Sequence, residues 1–195
     1  MYKVIGAAKT RAARVLWMLE ELGVPFEHIA AAPRSDEALA ATPSGKVPVL
    51  LVDGAPISDS TAIIQFLADK HGAFTHPAGS MARAQQDSFT QFILDEFDAV
   101  LWTAARHSFV LPPEQRLPQI KDSLKWELER SQKALVARMG TGPFLMGEDF
   151  TVPDIILAHC LGWAVSAKFD ITEERLRDYA AHVRARPAFA RTMAR

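Results

Sequence analysis

Between Thr42 and Leu67 the chain reads TPSGKVPVLLVDGAPISDSTAIIQFL, and few folds accommodate the three devices packed into that span. A turn at Thr42-Pro43-Ser44-Gly45 feeds the apolar run Val47-Pro48-Val49-Leu50-Leu51-Val52. Proline cannot donate to a ladder, so it belongs at a strand start, at an edge, or where the backbone stays open to something else. Asp53-Gly54 is a strong short hairpin signal and returns the chain as Ala55-Pro56-Ile57. Ser58-Asp59-Ser60 then precedes the helical spacing Ala62, Ile63, Phe66, Leu67, where small polar residues act as N-caps. A helix start offers N–H donors and a partial positive charge to a carboxylate. An open strand beside such a helix suits an extended, acidic, peptide-like ligand.

The flanks supply the rest of a small α/β body. Tyr2-Lys3-Val4-Ile5 reads as a strand, and residues 10–23 as an amphipathic helix with Val15, Leu16, Met18, Leu19 and Leu22 on one face. Thr10 is a plausible cap, while Gly23 and Pro25 supply the stop. Residues 26–30 form a second strand, and residues 31–41 a loop with one helical turn. The predicted order is βαβαββα over residues 1–73. Residues 74–79 have linker composition, and residues 80–195 are predicted to be all helix and loop. One helix runs from Ser80 to Val110, stopped by Pro112-Pro113, and another from Pro118 to Met139. Thr151 and Asp154 form a capping box, with Phe150 and Ile155 at the staple positions. The helix they open is apolar nearly all round, so it is expected at the centre of the second domain. Thr172 is expected to cap a further helix.

Composition narrows the function. A length of 195 residues can bury a sizeable core, and a net charge of −1 gives no electrostatic reason to expect nucleic acid or an anionic membrane as partner. No apolar stretch of membrane length or signal peptide is seen, so a cytoplasmic location is expected. Cys160 is the single cysteine, which excludes an internal disulfide and a Cys-x-x-Cys motif. The 6 histidines never take metal-ligand spacing on one helix face, so no metal is expected. Phosphate-binding glycine motifs and a nucleophile elbow are absent.

Gly45-Lys-Val-Pro-Val-Leu50, a short hairpin and an acidic-Ser pair opening a helix together resemble the glutathione-binding half of the cytosolic glutathione S-transferases. The likeness covers almost the full length and is strongest in residues 4–28, 42–72 and 147–165. It implies a thioredoxin-like N-terminal domain followed by an all-helical C-terminal domain. It also implies a cis-proline at Pro48, a Val47 backbone paired with the cysteinyl part of glutathione, and Asp59 and Ser60 holding the γ-glutamyl end. Lys46 is placed either at a glutathione carboxylate or simply at the surface. A homodimer, a role in detoxification and a small hydrophobic electrophile as second substrate go with the resemblance.

The chemistry of such an enzyme is thiolate stabilisation, since a free thiol with pKa near ~8.5 is mostly protonated at neutral pH. Many bacterial relatives carry Ser-Pro-x-Ser-Arg after the first strand, the second serine donating to the sulfur. Thr10 falls on that serine and Arg11 on the arginine, whereas Ala7 and Ala8 replace the earlier serine and proline. Thr10 is therefore the only hydroxyl in the loop, and it reads equally as sulfur donor, as helix cap, or as both. Arg11 reads as a charge near the sulfur or as a solvated helix residue. The electrophile would meet Trp102, Arg106 and Phe109 where the two domains join, although Trp102 and Phe109 also fit a core role. The resemblance thus implies a conjugating transferase. The alternative is a weakly active or non-catalytic glutathione-binding, stress-associated protein of the same fold.

Overall fold

The computed structural model describes residues 1–195. The chain divides into two compact units: Met1–Arg83 together with Arg184–Arg195, and Ala84–Val183.

The first unit is built on a sheet of order β2-β1-β3-β4. β1 (Tyr2–Ile5) leads through α1 (Ala12–Leu22) to β2 (Phe26–Ile29), which it pairs in parallel; parallel neighbours need such a crossover. A short α2 (Asp36–Ala41) follows, and then β3 (Val49–Val52) runs antiparallel to β1. β4 (Ala55–Ser58) pairs antiparallel with β3, and α3 (Ser60–His71) completes the predicted βαβαββα order. The hairpin turn has φ +50° at Asp53 and +91° at Gly54, the pair of positive values that an Asp-Gly turn tolerates. Strand alternation splits the apolar residues between two faces. Val4 and Leu50, directly opposed, are fully buried on one face. Ile5 and Val49, the next pair, cluster with Ala31 on the other, bordered by Ile29, Ala41 and Leu51. The Tyr2 hydroxyl lies 2.9 Å from His71 Nε2 and ties the start of β1 to the end of α3.

The last helix, α9 (Pro187–Met193), packs on α1 within this unit. Phe189 meets Trp17 edge-on at 4.8 Å between ring centres. Arg186 forks onto Glu21 at 2.7 and 2.8 Å. Arg191 and Arg195 both donate to Glu20. Burial pushes the Glu20 carboxyl up, but the hydrogen bonds from Arg191 and Arg195 outweigh it and hold the group below the usual glutamate value. A depressed folded value means the bond stabilises above the unfolded value and is lost as pH falls through the folded one. Amide hydrogen exchange in α9 should therefore quicken below the usual glutamate range, and Glu20→Gln should produce the same loosening at neutral pH. Equal protection of α9 in the variant and the parent would refute the assignment.

The second unit is helical. The chain winds continuously from Met81 to Val110 as α4 (Met81–Ile93) and α5 (Ala99–Ala105), each followed by a π-helical turn, Leu94–Asp98 and Arg106–Val110. The single helix expected from Ser80 to Val110 is thus present, with two local widenings of its hydrogen-bond ladder. α6 (Ile120–Arg138), α7 (Val152–Ser166) and α8 (Glu174–Arg184) follow. α7 is the buried centre, with Ile155, Ile156, Leu157 and Cys160 fully enclosed. Its capping box is formed: Asp154 accepts from the Thr151 N–H at 2.8 Å and from the Thr151 hydroxyl at 3.1 Å. The same carboxylate also accepts from Leu145 N–H at 2.9 Å and from the Tyr179 hydroxyl at 2.6 Å. Burial pushes the Asp154 carboxyl up against these donors and drives the Tyr179 phenol well above its usual range. Gln132, fully buried, donates to Asp170 O at 2.9 Å and accepts from Thr172 N–H at 2.8 Å. Thr172 does not cap α8, which starts at Glu174; Gln132 holds its backbone instead. No helix is long and apolar enough to cross a membrane.

Candidate functional site

Strand register brings the singled-out residues of the first unit to one end of the sheet. Ile5 opposes Val49, and Val49 opposes Ser58. One residue further along each strand lie Gly6, Pro48 and Asp59. The Val47-Pro48 peptide is cis, as the resemblance implied. Pairing of β3 begins at Val49 on both sides, so neither the sheet nor the turns take up the backbone N–H and C=O of Val47. Val47 itself is half-buried and Pro48 buried, while Lys46 stands exposed on the preceding turn. Gly45, at φ +59°, closes that turn by donating to Thr42 O.

Gly6 is the close approach that draws these pieces together. Its φ is +143°, and a Cβ there would lie 2.9 Å from Ala12 Cβ, 3.1 Å from Val47 Cβ and 3.5 Å from Pro48 Cα. Any side chain would wedge the start of α1 away from the segment carrying Val47. The loop that follows carries Thr10. Its hydroxyl donates to Ala7 O at 2.7 Å and accepts from Ala12 N–H at 3.1 Å. Thr10 therefore does satisfy a helix-start donor, and its hydroxyl hydrogen points at a neighbouring carbonyl. Arg11, half-buried, follows at the first turn of α1.

The start of α3 departs from the simplest expectation. Asp59 Oδ1 accepts from Thr61 N–H at 2.8 Å and Ala62 N–H at 3.2 Å, so the chain's own carboxylate fills much of the helix N-terminus. Asp59 is exposed and sits at φ +73°, a region costly for a residue with a Cβ and typically held by its surroundings. What it presents outward is negative charge, suited to a ligand's ammonium group rather than its carboxylate. Ser60 is buried, and its Oγ accepts from Arg14 Nη1 at 3.3 Å. Arg14 is only 1% exposed, and this α1-to-α3 tie, across 46 positions, escaped sequence reasoning.

Trp102, Arg106 and Phe109 lie in the second unit, along α5 and the π turn after it. Trp102 is half-buried; Arg106 is exposed, its Nη2 donating to Thr103 Oγ1 at 2.9 Å. Phe109 is 68% exposed, so a core role for it is ruled out. The physical reason is the π turn: Leu111 N–H reaches back to Arg106 O at 3.0 Å, five residues away, and the wider turn carries Phe109 outward at the end of the helix.

The family model described as glutathione S-transferase, N-terminal domain, matches residues 10–70. The Caenorhabditis elegans protein named Glutathione S-transferase 3 is 31% identical over 137 residues, covering 69% of this chain and 65% of that protein. The chain thus spans just under two thirds of that relative's length. Among solved structures, a glutathione transferase from Methylococcus capsulatus superposes with a TM-score of 0.84 at 25% identity, covering 100% of this chain and 98% of the other. A sphingomonad glutathione S-transferase complexed with glutathione gives a TM-score of 0.84 at 25% identity, covering 98% of this chain and 97% of the other. The matched domain holds Thr10, Val47, Pro48, Asp59 and Ser60, and the structural likeness continues through the helical unit to the last residues, so residues 10–70 carry a glutathione S-transferase N-terminal domain within a chain of the same fold throughout.

Proposed function

We propose that the protein binds glutathione, stabilises its thiolate and conjugates it to small hydrophobic electrophiles. The observation that carries this reading is the unpaired backbone of Val47 at the mouth of the sheet, between the Thr10 loop and Asp59. An extended peptide can pair with that backbone as an added strand, and the solved relative complexed with glutathione supports the choice of peptide. Val47 pairs with the cysteinyl unit. Asp59 takes the γ-glutamyl ammonium, Ser60 the adjoining carboxylate, and Lys46 the other carboxylate. Thr10 turns its hydroxyl hydrogen from Ala7 O to the sulfur while still accepting from Ala12 N–H; only the hydroxyl torsion changes. A thiolate is a charged acceptor and competes well against a neutral carbonyl. Arg11 adds positive charge on the same side. The thiol proton leaves to solvent, the sulfur lone pair forms the C–S bond, and the electrophile's leaving group or π bond takes the displaced electrons. Trp102, Arg106 and Phe109 contact the acceptor. Homodimeric assembly, a cytoplasmic location and a part in detoxification belong to the same reading.

The test is turnover of a chromogenic aryl halide with excess glutathione. A rate above buffer is expected, and Asp59→Ala should raise the glutathione KM by roughly 10- to 100-fold, the usual loss for a hydrogen bond to a charged group. Calorimetric binding of glutathione with no turnover of any electrophile would instead leave a binding protein.

A further inference from the structure

β2 ends in a tight turn, in which the Ile29 carbonyl accepts from both Gly6 N–H at 2.9 Å and Ala31 N–H at 2.8 Å. Parallel pairing stops there, with Ile5 against Ile29. The next carbonyl along β1, that of Gly6, consequently has no strand partner. A side chain serves it instead: His28 Nε2 lies 2.8 Å from Gly6 O. A carbonyl oxygen only accepts, so Nε2 carries the hydrogen whether the ring is neutral or charged. Gly6 is also the residue wedged between Ala12 and Val47. Its neighbour Ala7 donates to Ala31 O at 2.9 Å and accepts from the Thr10 N–H at 2.9 Å, a bond that stays in place when the Thr10 hydroxyl turns to the sulfur. From the imidazole to Thr10 runs one short chain: ring N–H, Gly6 carbonyl, Ala7 carbonyl, Thr10 N–H.

We infer that His28 is a positioning residue for the transferase reaction, its Nε2–H fixing the Gly6 carbonyl and with it the placement of the Thr10 hydroxyl relative to Val47. The inference rests on the transferase reading above. His28 touches neither substrate, and it donates the same bond in both protonation states, so its part is geometric rather than acid–base. Removing the ring leaves a part-buried carbonyl without its donor, and the loop relaxes to find another. A shift of a fraction of an ångström at Thr10 is enough to weaken the bond to a sulfur held by other residues.

The test compares His28→Gln, His28→Asn and His28→Leu. Glutamine carries an amide nitrogen about as far out as Nε2, whereas the asparagine amide stops a bond short, near the Nδ1 position. His28→Gln should keep kcat within about threefold of the parent, with an unchanged pH–rate profile. His28→Asn and His28→Leu should lose roughly tenfold in kcat at a nearly constant glutathione KM. Ultraviolet absorbance of the bound thiolate should titrate at higher pH in those two variants. Thermal melts check folding; if His28→Leu does not fold, the Gln and Asn pair decides. Equal losses in Gln and Asn, parental kcat and thiolate titration in Asn, or a displaced pH profile in Gln would each overturn the inference while leaving the transferase reading intact. A parent protein with neither turnover nor bound thiolate would remove both, and is read separately.

Discussion

Thr10→Val lowers kcat for conjugation by about two orders of magnitude, the usual effect of deleting a preorganised donor from a developing or resident anion. The swap keeps the β-branched shape and removes only the hydroxyl. Glutathione binding should change little, because Val47 and Asp59 are untouched. The bound thiol should titrate at higher pH, since the oxygen that favoured its ionised form is gone. Thr10→Ser should retain the rate, as the donor remains and only a methyl leaves. Stopped-flow turnover and thiolate absorbance check both variants. A Thr10→Val protein with parental kcat would confine Thr10 to its bonds with Ala7 O and Ala12 N–H.

Asp154→Ala should cost about 4 kcal/mol of stability, well beyond the ~0.5–2 kcal/mol of an ordinary cap. The difference comes from the partners. Asp154 is fully buried and receives Thr151 N–H, the Thr151 hydroxyl, Leu145 N–H and the Tyr179 hydroxyl. Truncation strands donors from three segments at once in a site that water cannot easily reach. Equilibrium urea unfolding followed by circular dichroism measures the loss. A cost below ~1 kcal/mol would show that the site rearranges to satisfy its donors. Whatever fraction stays folded should conjugate at the parental rate per molecule, because Asp154 lies outside the residues assigned to glutathione.

Local signals were legible in the sequence; partners distant along the chain were not. The Asp53-Gly54 turn, the strand Tyr2–Ile5, the Asp59 cap and the Thr151–Asp154 box are each specified by neighbours within a few residues, and each is present. Nothing local announces that Arg14 would reach Ser60 across 46 positions, or that Tyr179 would come to Asp154 across 25. The same holds for α9. Nothing in its own sequence says which surface receives it, and Trp17, Glu20 and Glu21 do so. At the site, the residue types were readable, but the direction of the charge was not. A helix start was expected to attract a carboxylate, and Asp59 occupies that place with its own. The π turns were invisible because a five-residue reach has no residue signature.

The first of those π turns, Leu94–Asp98, spends one extra residue without ending the helix, whereas the second, Arg106–Val110, closes it. Side chains beyond Asp98 therefore fall one position out of step with those before Leu94. A mask of apolar positions laid over residues 81–110 at constant 3.6 spacing drifts off the buried face. Sequence comparison across this helix should accordingly allow a single-residue gap at 94–98, the place where the rod can change length without changing its ends.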